Sequence, residues 1–136
     1  MEIEKARDFI RENHRGILAT RRKEGGLQMS PIAVGIDKDG RAVISSREPA
    51  YKVRNLQRDP RASVCVFTDN FFGEWIQIDG TAEILSLPEA LEPLVDYYRT
   101  SWGEHPDWED YRQAMVRDKR LLIRIQIEQA GPDRKG

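Results

Sequence analysis

One cysteine, two histidines and no long apolar run set the first limits on this 136-residue chain. A single thiol, Cys65, cannot close an internal disulfide, and its place in the apolar run "ASVCVF" predicts a small buried side chain. His14 and His105 lie 91 residues apart with no cysteine or paired carboxylates around them, so a zinc site is not supported. No stretch approaches the ~20 apolar residues that span a bilayer. The charged start "MEIEKARDFIREN" has no signal-peptide core, and the expectation is a soluble, cytoplasmic protein. Glycine-rich loops of the G-x-G-x-x-G and G-x-x-x-x-G-K-[ST] types are missing, as is a G-x-S-x-G elbow, which leaves dinucleotide binding on a Rossmann unit without support. Charge of one sign is missing too: 22 basic against 23 acidic residues give −1 overall. Such a chain has no bulk field to draw nucleic acid or an anionic membrane, so any anion site must be local.

The length suits one domain, 1–136. Ile3, Ala6, Phe9 and Ile10 form one apolar stripe and predict a helix over 2–14. Strands are expected at 16–22, 27–37 and 41–46, separated by the turn signals "KEGG" and "DKDG". Pro31 cannot donate to a ladder and marks an edge or a bulge. A short helix is expected to open on Glu48 and Pro49 and to stop at Asp59-Pro60. Alternating strands at 61–69 and 74–85 follow, the second with Trp75, Gln77 and Asp79 on one face and Ile76, Ile78 and Gly80 on the other. Helices at 88–102 and 107–119, a strand at 120–128 and a fraying tail "GPDRKG" complete the chain. Six strands with one short crossover helix and flanking helices predict a mainly β fold that closes into a small antiparallel barrel.

Within this frame "ISSREPAYKVRNLQRDPRASV" concentrates Arg47, Lys52, Arg54, Arg58 and Arg61 against only Glu48 and Asp59. The preceding strand delivers Ser45 and Ser46 to the helix start, and Asn55 lies one turn beyond Lys52. Hydroxyls, backbone N–H groups at a helix start and an ammonium are what a phosphate monoester needs. A solvated charged face explains the same pattern equally well, because charge runs are commonly just that. Tyr97 and Tyr98 are candidate proton donors by chemistry, but helical tyrosines more often pack; Trp102, Trp108 and Tyr111 are expected to pack the helical flap.

The order "GILAT…MSPIAV…AVISS…EPAYKVRNLQRDPRASV…IQIDGTAEI…YYR…DWEDYRQAMVRDKRLLIRI" resembles the split β-barrel flavin/deazaflavin oxidoreductases, the pyridoxamine-phosphate-oxidase-like group, and within it the branch that uses coenzyme F420. The resemblance implies a six-stranded antiparallel split β-barrel, an FMN-binding split barrel, that forms a homodimer with two cofactor sites between protomers. It implies that Lys52 contacts the cofactor phosphate and that Ser45, Ser46 and the adjoining backbone lie near the ring and its phosphorylated arm. It places Met29, Ser30 and Pro31 along the ring's edge and brings Trp75 and Gln77 from the other protomer. Relatives that carry a further basic residue two positions before the lysine have it where this chain has Ala50; Arg47 or Arg54 is the substitute. Pyridoxamine-phosphate oxidases proper use an R-x-V-L-L-K segment and an arginine-rich last strand. The segments "AVISSREPAYK" and "LLIRIQIEQAGP" match neither, so vitamin B6 oxidation is not expected. F420, with its phospholactyl-oligoglutamate tail, suits a groove with several cations such as Arg54, Arg58 and Arg61; FMN is the alternative cofactor. The implied activity is hydride transfer from reduced deazaflavin C5 to a C=C or C=N bond of a small organic substrate. A carrier that binds F420 or FMN without efficient turnover is the alternative.

Overall fold

The computed structural model describes residues 1–132. In chain order the elements are α1 (Ile3–Glu12), β1 (Arg15–Arg21), β2 (Leu27–Ala33), β3 (Gly35–Ile36), β4 (Ala42–Arg47), α2 (Tyr51–Arg58), β5 (Arg61–Phe67), β6 (Trp75–Leu85), α3 (Leu91–Trp102), α4 (Trp108–Arg117) and β7 (Arg120–Gly131). The strands form one antiparallel sheet of order β2-β1-β5-β6-β7-β4-β3. Its two edges, β2 and β3, are consecutive pieces of one segment separated only by Val34. The sheet therefore curls until both edges meet in the same stretch of chain, which makes a split barrel. The expected single strand over 27–37 is thus two strands, and the barrel's six walls count as seven pieces. Most of the expected tail "GPDRKG" lies outside the described residues; Gly131 still belongs to β7.

Period-two alternation fills the interior. Leu18 of β1, Val64 and Val66 of β5, Ile76 and Ile78 of β6, and Ile123 and Ile125 of β7 are buried together. Ala6 and Ile10 of α1 and Val53 and Leu56 of α2 complete that core. A second, smaller core lies outside the barrel wall, where Val43 of β4 and Leu122 of β7 carry Leu94, Val95 and Tyr97 of α3 and Tyr111 of α4. Tyr98, His105, Trp108 and Tyr111 stack with ring centroids 5.0 to 5.7 Å apart. Trp102 does not join them; it is 60% exposed.

Two local expectations need correction. Helix α2 begins at Tyr51, not at Glu48-Pro49. The Glu48 N–H donates to the Lys119 carbonyl and the Ala50 N–H to the Arg47 carbonyl, so residues 47–50 form a turn tied to the start of β7. Cys65 is half-buried on the outer wall. The alternation in β5 turns Ala62, Val64 and Val66 inward, and Cys65 outward between Ile17 and Gln77. An apolar run announces a strand but not which of its faces is covered.

The barrel wall is tightest at Gly80, beside a register shift in the β6–β7 pair. A Cβ added there would collide with the Gln126 carbonyl oxygen and crowd the Ile125 side chain. Backbone on both sides leaves little room to relax, so Gly80→Ala is expected to cost about 1–3 kcal/mol. Urea unfolding followed by tryptophan fluorescence measures this, and an unchanged midpoint would contradict so close an approach.

Candidate functional site

The site begins with two strand edges that have no ladder partner across a gap. β2 pairs only with β1, and β4 pairs with β3 only through Ala42 and Val43. In an antiparallel pair, backbone groups point alternately toward and away from the neighbour. The Arg22 N–H to Gly26 and Val34 N–H to His14 bonds fix that alternation for the β1–β2 pair. It turns the backbone of Met29, Pro31 and Ala33 away from β1, toward the gap. The Asp37 N–H to Arg41 bond fixes it for β3–β4, and it turns the backbone of Ser45 and Arg47 toward the same gap. Pro31 therefore sits where its missing N–H breaks no ladder bond. Met29 and Pro31 on one side and Ser45 on the other flank the split with backbone donors and acceptors.

Tyr97 closes the inner end. Its hydroxyl donates to the Ala33 carbonyl at 3.0 Å, and the Ser45 N–H lies near enough to act on the phenol oxygen, so the phenol stands between the two parted edges. Burial pushes its pKa up, while the Ser45 hydrogen bond and the nearby Arg120 charge pull the other way. A phenol whose proton is already held by a buried carbonyl is a staple, not a free acid. Tyr111, whose hydroxyl donates to the Leu94 carbonyl at 2.9 Å, is pushed up to about 12 by burial and by Tyr97 and serves the same structural end.

The outer end is cationic. Lys52 is half-buried on the first turn of α2, and among the described residues it has no hydrogen-bond or ion-pair partner. Burial first, and the neighbouring Arg120 charge second, hold its pKa below the ordinary lysine value. Arg120 opens β7 directly opposite Arg47 in the ladder. Arg54 is exposed on α2, two residues beyond Lys52 and so on the other side of the helix. Arg120 is the residue that sequence reading missed; no local motif marks it, and only the β4–β7 register brings it to this corner.

The other expected residues are sorted by the same alternation. Ser45 and Ser46 point to opposite sides of β4, Ser45 toward the helical flap and Ser46, 3% exposed, into the barrel. Ser30 shares the inner face of its strand with Gln28, whereas Met29 and Pro31 face outward. Asn55 is buried and donates to Thr20 Oγ1 and Gln28 Oε1, both at 3.0 Å, so its amide locks α2 onto β1 and β2. Arg58 donates to the Arg21 carbonyl and to Asn55, and Arg61 forks onto Asp59, whose carboxyl it holds down at about 2. Arg61 is thereby paired with an acid, whereas Arg58 meets only neutral acceptors, through one of its nitrogens. Trp75 and Gln77 lie on the outer face of β6. Trp75 is seven residues, roughly 23 Å of strand, from Ala82, whose N–H meets the Pro60 carbonyl just past α2.

No group of three or more metal-ligating side chains occurs among the described residues, and no helix is long and apolar enough to cross a membrane. The split, its flanking backbone and the unpartnered cations fit a flat ring with a phosphorylated arm. The family model described as pyridoxamine 5'-phosphate oxidase matches residues 3–132, and the chain belongs to that family. Among solved structures it is similar to the conserved hypothetical protein Rv2991 of Mycobacterium tuberculosis, with 25% identity and a TM-score of 0.77 over 96% of this chain and 82% of that one. An F420 reductase matches at 16% identity and TM-score 0.70, over 91% of this chain and 94% of that one. The heme storage protein HutZ of Vibrio cholerae matches at 17% and 0.69, over 96% and 94%. The last two likenesses bear on the fold alone.

The lowered Lys52 pKa has a pH signature. In the interval between that lowered value and the ordinary 10.5, the unfolded chain holds the proton and the folded chain releases it, so stability rises with pH across it. Lys52→Met removes the penalty present below the interval. The variant should be the more stable protein at neutral pH, with the difference from wild type shrinking as pH climbs toward the ordinary lysine value. Denaturant midpoints of both proteins across the alkaline range measure this, and a constant difference would count against a strained ammonium.

Proposed function

We propose that this chain is an F420-dependent oxidoreductase that reduces a C=C or C=N bond of a small organic substrate. The carrying observation is the split between β2 and β4 with a half-buried, acid-free lysine at its open end. Buried ammonium groups without a counter-ion are costly, and a phosphate supplies the missing charge. Reduced deazaflavin, when bound, supplies a hydride from C5, and a solvent proton completes the two-electron reduction. The chain's own residues do the rest. Lys52 anchors the phosphorylated arm, the backbone of Met29, Pro31 and Ser45 orients the ring's edge, and Tyr97 fixes the width of the slot. Exposed Arg47 and Arg54 offer charge to an oligoglutamate tail, which favours F420 over FMN. An F420 reductase among the structural neighbours is in keeping with this reading.

The same reading makes the active species a homodimer. Ile17, Ala19, Leu27, Met29, Cys65 and Gln77 line a concave outer wall enclosing about 820 Å³. Leu27, Met29 and Trp75 are exposed on this side, and Phe72 at the neighbouring β5–β6 turn is 93% exposed. Trp75 and Gln77 lie on this outer face of β6, from which they reach the cofactor held by a second copy. Light scattering at micromolar concentration should give twice the 15.7 kDa chain mass; a monomer mass would sink the shared site.

Fluorescence quenching of oxidised F420 and of FMN measures binding. Lys52→Ala should weaken the tighter of the two by about 1–3 kcal/mol. Oxidation of reduced F420 by a panel of enones, quinones and tetrapyrroles then reads turnover. Tight binding without turnover by any acceptor would make the protein a cofactor carrier, and absence of binding would remove the proposal altogether.

A further inference from the structure

We infer that Arg120 is a second anion ligand, which closes with Lys52 on a single phosphate group at the open end of the split. The inference rests on the reading of that corner as a phosphate pocket and adds a residue that no motif assigns. Three observations converge on it.

Arg120 Nε is buried, and among the described residues no acceptor meets it. A guanidinium cannot shed its charge to escape such a site, so the N–H waits for an acceptor from outside. Arg124 Nε is orphaned in the same way, but that side chain keeps a carboxylate through Nη2, and the other neighbouring arginines are paired too. Arg99 pairs with Asp96 and Glu104, Arg112 with Glu92, Arg117 with Asp118, and Arg124 with Glu83. Arg120 has no such acid. Glu48, which shares a small hollow of about 120 Å³ with Arg120 and Lys119, forms no ion pair among the described residues.

The ladder supplies the geometry. Arg120 faces Arg47, and Ser45 faces Leu122 two places on, so Arg47, Ser45 and Arg120 share the side of the wall that carries the split's Tyr97 staple. Glu48 N–H bonds the Lys119 carbonyl, which fixes the turn before α2 against the start of β7. Lys52 then stands close enough to Arg120 for the two charges to act on each other. Two cations held together, with no carboxylate paired to either among the described residues, destabilise the empty fold. An oxyanion that accepts from both removes the repulsion and satisfies the orphaned N–H at once.

A structural arginine and a ligand-binding one differ in the ligand-free protein. Arg120→Met should melt no lower than wild type, because it removes a repelled, unsatisfied charge. The same variant should bind FMN about 10- to 100-fold more weakly, the loss of one charge-assisted hydrogen bond, with riboflavin affinity unchanged. Arg120→Lys, which keeps the charge and loses the fork, should fall between and guards against misfolding of the first variant. Inorganic phosphate should raise the melting temperature of wild type more than that of Arg120→Met. If flavin and deazaflavin both fail to bind wild type but phosphate still protects it and not the variant, the redox reading falls and Arg120 stands. If cofactor binds and Arg120→Met either matches wild type or loses FMN and riboflavin alike, Arg120 falls and the redox reading stands. Phosphate that protects neither protein, together with no cofactor binding, overturns both.

Discussion

One segment, residues 27–36, has to serve both edges of a curled sheet, and the geometry of the site follows from that constraint. A strand that pairs with β1 over its first seven residues and with β4 over its last two cannot also hydrogen-bond β4 along the remainder. The barrel therefore stays open between Met29–Ala33 and Ser45–Arg47. Exposed strand edges are a liability unless covered, charged or filled. Here the answer is local: Pro31 contributes no N–H to the gap, the Tyr97 hydroxyl takes the Ala33 carbonyl, and Val34 turns both backbone groups to His14. Each device stops the ladder from zipping further without leaving its own polar group unmatched.

Much of this was legible in the chain. Alternation in "EWIQIDGTAEIL" assigns the faces of β6, and of the edge or bulge that Pro31 announces the structure has the edge. The family resemblance, carried by "EPxxKxRNL" and "DWxDYRQAMV", agreed with a family match across residues 3–132. What failed were statements about side chains that neighbour each other in sequence. Ser45 and Ser46 look like a pair but are split by the two-residue period of a strand. Asn55 is a neighbour of Lys52 one turn away, yet its amide is taken up by Thr20 and Gln28, partners that no local pattern in the chain announces. Cys65 sits in an apolar run whose outer half is left uncovered. The opposite failure is Arg120, 68 residues beyond Lys52 in sequence, because a ladder register is not written in either strand alone.

Charge is also distributed unevenly for a chain of almost no net charge. Acids are plentiful, and most arginines outside the split meet one: Arg7, Arg11, Arg41, Arg61, Arg99, Arg112 and Arg124 all have carboxylate partners within hydrogen-bond reach. Exposed pairs of this kind contribute little stability. Their effect is to leave Arg47, Lys52, Arg54 and Arg120 as a local positive field that distant acids do not cancel, since screening confines each paired charge to its own neighbourhood. A balanced composition thus conceals the local positive field on which the proposed anion site rests.

The position of Tyr97 then constrains the chemistry that the proposed activity can perform. The phenol nearest the slot holds its proton against the Ala33 carbonyl, and burial raises the cost of releasing it. Lys52 is needed as an ammonium for the phosphate, and Tyr111 is bonded to the Leu94 carbonyl. None of these groups is poised to hand a proton to a substrate, so in the proposed reduction the proton comes from water. Water is a weak acid, and it suffices only where the hydride acceptor stabilises the negative charge that builds up on it. Conjugated carbonyls, quinones and extended imines do so, whereas an isolated alkene does not. That none of these described groups serves as an acid narrows the substrate class of the proposed activity, and the breadth of acceptors such a slot would admit follows from how little the protein contributes beyond orientation and charge.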